Sequence, residues 1–148
     1  MNKSLVFIFS FLFLFSCKTT QDKMTTEYTF TIRVKEKYCY GARLDETLIK
    51  ETEREKPYAN EEIYLVKRGS TDTLNYPTTL SGQFTRKFTP GTYLVFFPEK
   101  FRKGPMDYSK NCKEWRIRPD TVIVLDPSYP GVNLNLYRPC NPCNPIRQ

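Results

Sequence analysis

Between Tyr28 and Lys35 the chain alternates, with Tyr28, Phe30, Ile32 and Val34 on one side and Thr29, Thr31, Arg33 and Lys35 on the other. Period two over eight residues predicts a half-buried strand. Ile63–Val66 predicts a second strand, closed by Lys67-Arg68-Gly69-Ser70, and Thr71–Tyr76 a third, stopped by Pro77. Thr78–Leu80 and Phe84–Phe88 flank Ser81-Gly82, which reads as a hairpin turn because glycine accepts positive φ. Pro90-Gly91 is a further turn leading into Thr92–Phe97, and Thr121–Leu125 and Val132–Tyr137 complete the set. Seven or eight short strands parted by turn residues predict an all-β chain, closed as an antiparallel β-sandwich over residues 27–148.

Two segments interrupt the strand pattern. Residues 45–62 hold seven acids against three bases. Leu44, Leu48 and Ile49 share a helical face behind Asp45, an N-cap residue type, which predicts a short helix near 45–55. Residues 99–118 reverse the balance, with seven bases against three acids, and form a long insertion between strands. Long insertions are where binding groups concentrate. The two segments are expected either to face one another or to be solvated separately.

The first sixteen residues belong to another physical class. Lys3 precedes Leu5–Phe15, an apolar run with five phenylalanines, too short to cross a bilayer but the length of a secretory h-region. It ends in Leu14-Phe15-Ser16-Cys17, which resembles the lipobox of bacterial lipoproteins, with a bulky Phe15 where a small residue is usual. The resemblance, to lipoproteins of Bacteroidetes type, implies cleavage after residue 16, acylation of Cys17 and attachment to the outer membrane, with the exposed face left open. Several acyl chains would anchor firmly where one holds only marginally. Residues 17–26 then read as the lipidated Cys and a polar tether.

Composition removes several chemistries. The chain has no histidine, so Ser-His and Cys-His nucleophile pairs and His-ligated metals are excluded. There is no glycine-rich phosphate loop and no marked carboxylate pair, so no catalytic residue, cofactor or metal is assigned. Cys39, Cys112, Cys140 and Cys143 make an even set in an exported small domain and read as two disulfides. A redox pair at Cys140-Asn141-Pro142-Cys143 is the alternative, although Pro139, Pro142 and Pro145 oppose the helix such a motif normally opens. A four-cysteine zinc site lacks a second Cys-x-x-Cys.

The middle of the chain resembles a known family. Asn60-x-x-Ile63-x-Leu65, Thr78-Thr79-x-x-Gly82-x-Phe84 and Pro90-Gly91-Thr92-Tyr93, over residues 28–98, resemble the carboxypeptidase regulatory-like domain, a transthyretin-like (prealbumin-like) sandwich. Ser81 stands where that family usually has an acidic residue or Asn. The resemblance implies a non-catalytic module, and the ring-opening transthyretin-like hydrolases depend on histidines that are absent here. It also implies that the first strand and a late strand lie side by side in parallel. That would pair Cys39 with Cys140 or Cys143 and leave Cys112 for the other.

The expected function is therefore a non-catalytic, lipid-anchored envelope binding or assembly module. The alternatives are a thiol–disulfide redox protein and a structural lipoprotein contacting glycan or peptidoglycan. Without its leader the chain carries 22 bases and 16 acids, net +6. Envelope proteins, glycans or anionic lipid head groups are the expected partners, and nucleic acid is not. Trp115, Tyr108 and Tyr129 fall outside the predicted strands and are the candidate ligand contacts, with Trp115 favoured as a core residue docked near a disulfide.

Overall fold

The computed structural model describes residues 24–39 and 45–144. The leader, Cys17, most of the tether and Leu44 lie outside that range. Among the described residues eight strands run in chain order: β1 (Thr26–Glu36), β2 (Lys56–Pro57), β3 (Glu62–Lys67), β4 (Thr73–Pro77), β5 (Gln83–Phe88), β6 (Gly91–Phe96), β7 (Thr121–Leu125) and β8 (Gly131–Arg138). Helix α1 (Glu46–Thr52) lies between β1 and β2; a 3-10 turn (Pro98–Lys100) and helix α2 (Lys110–Ile117) lie between β6 and β7.

The strands form two four-stranded sheets packed as a sandwich. In one, β1 is central. Its first half pairs antiparallel with β5 and its second half with β2, while β8 runs parallel along its other edge from Thr29↔Gly131 to Glu36↔Arg138. The other sheet has the order β4-β3-β6-β7, all antiparallel. The parallel pair is the one the transthyretin-like resemblance implies.

The predicted alternation becomes the core. Tyr28, Phe30, Ile32 and Val34 are at most 1% exposed and meet Ile63 and Leu65 of β3, Val95 of β6 and Leu134 and Leu136 of β8. Each fully buried side chain of this size stabilises by about 1.5–3 kcal/mol. Aromatic rings supply the geometry at one end of the core: Phe30 stacks on Phe84 at 4.5 Å, Tyr76 on Phe84 at 5.2 Å, and Phe88 meets Tyr93 edge-on at 5.5 Å.

Three local expectations need adjustment. The Ser81-Gly82 turn forms, with Gly82 N donating to Thr79 O and Thr79 N to Gln83 O, but it does not join two strands of one hairpin. Thr78–Leu80 is not a strand, because Thr78 is spent on Glu61 O and Tyr58 O. Ile32 N instead donates to Gly82 O, which delivers β5 to β1 in the opposite sheet. Helix α1 forms behind Asp45, whose carboxylate accepts from Thr47 N, yet it buries no residue and leaves Leu48 exposed. Its cap specifies it, rather than an apolar face. Helix α2, capped by Ser109, is an element that strand periodicity does not announce.

Gly69 and Gly82 both have positive φ, +83° and +74°, so an added Cβ meets similar backbone strain at each. At Gly69 it would meet nothing within 4 Å, whereas at Gly82 it would collide with Ile32 O and lie 2.9 Å from Tyr58 N. Gly69→Ala should cost about 1 kcal/mol in urea unfolding, the ordinary left-handed penalty. Gly82→Ala should cost severalfold more, because the turn must leave β1. Equal losses would refute that packing.

Candidate ligand cavity

At the end of the sandwich where β1 and β8 finish, the chain builds a cavity of about 370 Å³. The ladder positions its floor. Its last register pair, Glu36 and Arg138, is an ion pair, and Lys37 N donates to Arg138 O one step further. Two residues beyond, Cys39 is bonded to Cys140, with Cα atoms 5.5 Å apart. Parallel pairing that keeps register to its last residue is what brings cysteines 101 positions apart within bonding distance.

Arg138 is the polar centre of this end. Its guanidinium lies 4.8 Å from the Phe97 ring and 5.1 Å from the Tyr58 ring. It pairs with Glu36, with Glu61 at 2.6 Å and with Glu99 at 3.7 Å. A planar cation between aromatic rings with carboxylates at its edge is an arrangement Arg supports and Lys does not. Burial would lower the Arg138 pKa, but hydrogen bonding to Glu61 and the charges of Glu99 and Glu61 outweigh it and raise it. Burial raises the Tyr58 hydroxyl far above its ordinary range; the Arg138 charge opposes this, and Glu61 and Glu99 add to it. At Glu36, burial pulls upward, but Lys56 at 2.7 Å and Arg138 prevail and hold the carboxyl below its ordinary value.

The 99–118 insertion makes the facing wall and is internally organised. Lys100 and Asp120, 3% and 6% exposed, form a 2.8 Å ion pair at its base. Lys100 Nζ also donates to Arg118 O and lies 5.0 Å from the Trp115 ring, while Asp120 accepts from Phe97 N at 2.8 Å. Arg116 on α2 donates to Lys100 O and Arg102 O and pairs with Asp107 at 2.6 Å, closing the loop from inside. The Cys112–Cys143 disulfide then fastens the insertion to the C-terminal tail. Asp107, Cys112 and Cys143 place their ligand-type atoms within 4.8 Å. Both sulfurs are bonded to each other, however, and the carboxylate is taken by Arg116, so the cluster is explained without a metal.

Of the three aromatic candidates, only Trp115 lines the cavity. It is partly buried and outside the core cluster, so the favoured core role is corrected: α2 holds the ring against Lys100 at the cavity wall. Tyr108 is 73% exposed, with its hydroxyl on Met106 Sδ. Tyr129 is equally exposed and sits before β8, at the far end of that strand from Arg138. The acidic and basic segments do not pair with each other among the described residues. Glu55 and Glu61 pair with Arg33 and Arg138, and Lys100 and Arg116 pair with Asp120 and Asp107. Sequence reasoning missed Arg138, Glu36 and Glu99. Aligning the ends of the two strands implied to be parallel would have placed the first two opposite one another.

No protein-family profile matches the chain, and no curated protein does. Among solved structures it is similar to a DUF3823 family protein from Parabacteroides merdae, at 17% identity and a TM-score of 0.36, covering 77% of this chain. The chain spans 46% of that protein's length.

Because the folded Glu36 pKa is depressed, its contribution is complete above the ordinary glutamate value of 4.5 and is lost as pH falls through the lower folded value. Chemical unfolding from pH 6 to pH 2 should show wild-type stability falling over that window. Glu36→Gln should be less stable at pH 6 and lose less on acidification. Parallel pH profiles would show that the carboxylate is not held by Lys56 and Arg138.

Proposed function

We propose that the protein is a non-catalytic binding module of a bacterial envelope, anchored to the outer membrane through acylated Cys17, with the terminal cavity as its contact site. The observation that carries the binding reading is a cavity whose walls are tied before any ligand arrives, by two disulfides and the Arg138 and Lys100 ion pairs. Pre-tied walls reduce the ordering cost of binding. Its volume falls within the range of about 300–1,000 Å³ usual for small-molecule sites.

The residues around it support binding over chemistry. All four lining or neighbouring cysteines are oxidised, and Glu36 is held ionised by two cations, which suits it poorly for donating protons. The parallel β1–β8 pair supports the carboxypeptidase regulatory-like assignment, and Trp115 in the wall favours glycan as the second reading of the partner. The redox alternative is weakened because Cys140 and Cys143 are bonded to Cys39 and Cys112 rather than to each other.

Two measurements test the proposal. Expressed with its own leader in a Gram-negative host, the protein should partition into detergent with an acylated N-terminal Cys17, and Cys17→Ala should abolish this. Unmodified protein in the aqueous phase would refute the anchor. A panel of neutral and charged small molecules, read by amide hydrogen exchange on the full chain in detergent, should yield ligands that protect residues 37–39, 99–104 and 138–144. Protection confined elsewhere would refute the cavity as the site.

A further inference from the structure

Four buried side-chain polar atoms among the described residues have no hydrogen-bond partner: Tyr28 Oη, Glu99 Oε2, Trp115 Nε1 and Arg138 Nε. The last three belong to residues that line the same cavity. Each unmet group costs about 1–3 kcal/mol, and native proteins hold few of them. Three on the lining residues of one cavity, just beneath its surface, point to a partner that enters there. Two are donors and one is an acceptor, so the partner must both accept and donate. Hydroxyl groups do both.

The charges specify the rest. Arg138 already faces three carboxylates, so a further acid gains little from it. Lys37, Arg102 and Lys103 also line the cavity, are exposed, and make no side-chain ion pair among the described residues. Counting lining side chains, four cations oppose two anions, Glu36 and Glu99, and the uncompensated charge sits on these three. An anion at the rim would be attracted to them while its hydroxyls reach inward to Trp115 Nε1, whose indole is tied by no hydrogen bond or ion pair among the described residues, and to the edge of the Arg138–Glu99 pair, whose ties to the wall stay in place. At about 370 Å³ the space suits one or two rings, not a polymer segment of many.

We infer that the cavity binds a small hydroxylated ring carrying one acidic group, a sugar acid or a sugar phosphate. This rests on the binding reading above and goes beyond it by naming the ligand's chemistry.

Trp115 is the single tryptophan of the chain, so its emission reports on the cavity alone. Full-length protein in neutral detergent is titrated with glucuronate, glucose 6-phosphate, glucose and inorganic phosphate. At least one of the two acidic sugars should shift the emission with a Kd tenfold or more below that of glucose and of inorganic phosphate. Which of the two does so identifies carboxylate or phosphate as the acid. Raising salt should weaken binding, and the Arg102→Gln/Lys103→Gln double variant, altered only at exposed positions, should keep its thermal stability and lose the tenfold preference. Glucose binding as tightly as the acidic sugars, or inorganic phosphate matching them, would overturn the inference. So would silence from all four probes: protection of the cavity by other molecules in the hydrogen-exchange panel would then leave the binding reading standing, and its absence there would remove both.

Discussion

The structure depends on the parallel ladder between β1 and β8. Eight register pairs run without a slip from Thr29↔Gly131 to Glu36↔Arg138, joining the two ends of the described chain along one side of the central strand. A slip of β8 by one residue against β1 would turn Leu134 and Leu136 out of the core, so burial fixes the register. Once it is fixed, the chain has no freedom at the far end. Glu36 must meet Arg138, and Cys39 must meet Cys140. In the chain-entropy account, closing loops of this kind is worth nominally about 3–5 kcal/mol per disulfide, less any strain.

The insertion obeys the same logic with different groups. A stretch with seven bases would repel itself if left open, and instead it folds around two of its own cations. Lys100 is nearly inaccessible, yet Asp120, Arg118 O and the faces of Phe96 and Trp115 surround its ammonium. Removing either charge of a buried pair costs more than the pair contributes, so this contact selects one arrangement of the insertion rather than adding much net stability. Arg116 repeats the device at the surface side, and the Cys112–Cys143 bond makes the result permanent. Lys37, Arg102 and Lys103 remain as the lining cations whose side chains make no ion pair among the described residues.

The sandwich was largely legible because its strands are amphipathic with period two, a signal that survives without context. Tyr28–Val34 and Val132–Tyr137 show it most clearly, and both are ladder strands. Helix α2 was not legible: it buries only Cys112, so no apolar stripe marks it, and a serine cap in a charged loop is a weak cue. The destination of β5 was equally hidden, since Ser81-Gly82 announces a turn but not which sheet receives the next strand. Of the cavity, the cysteines and Trp115 stood out as residue types. Arg138, Glu36 and Glu99 did not, because a charged residue at a strand end reads as solvated until the partner strand is known. Their roles arise from tertiary register, which a single sequence encodes only through the cores that impose it.

The most direct test is the disulfide pattern of the protein oxidised in its native compartment, with free thiols blocked and peptides mapped without reduction. The account predicts no free thiol at these four cysteines and a three-peptide species in which the tail is joined to the peptides of Cys39 and Cys112. Electron-transfer fragmentation should assign Cys39 to Cys140 and Cys112 to Cys143. A tail peptide closed on itself through Cys140 and Cys143 would contradict it, since the ladder end, the insertion and the cavity between them would no longer be tied together.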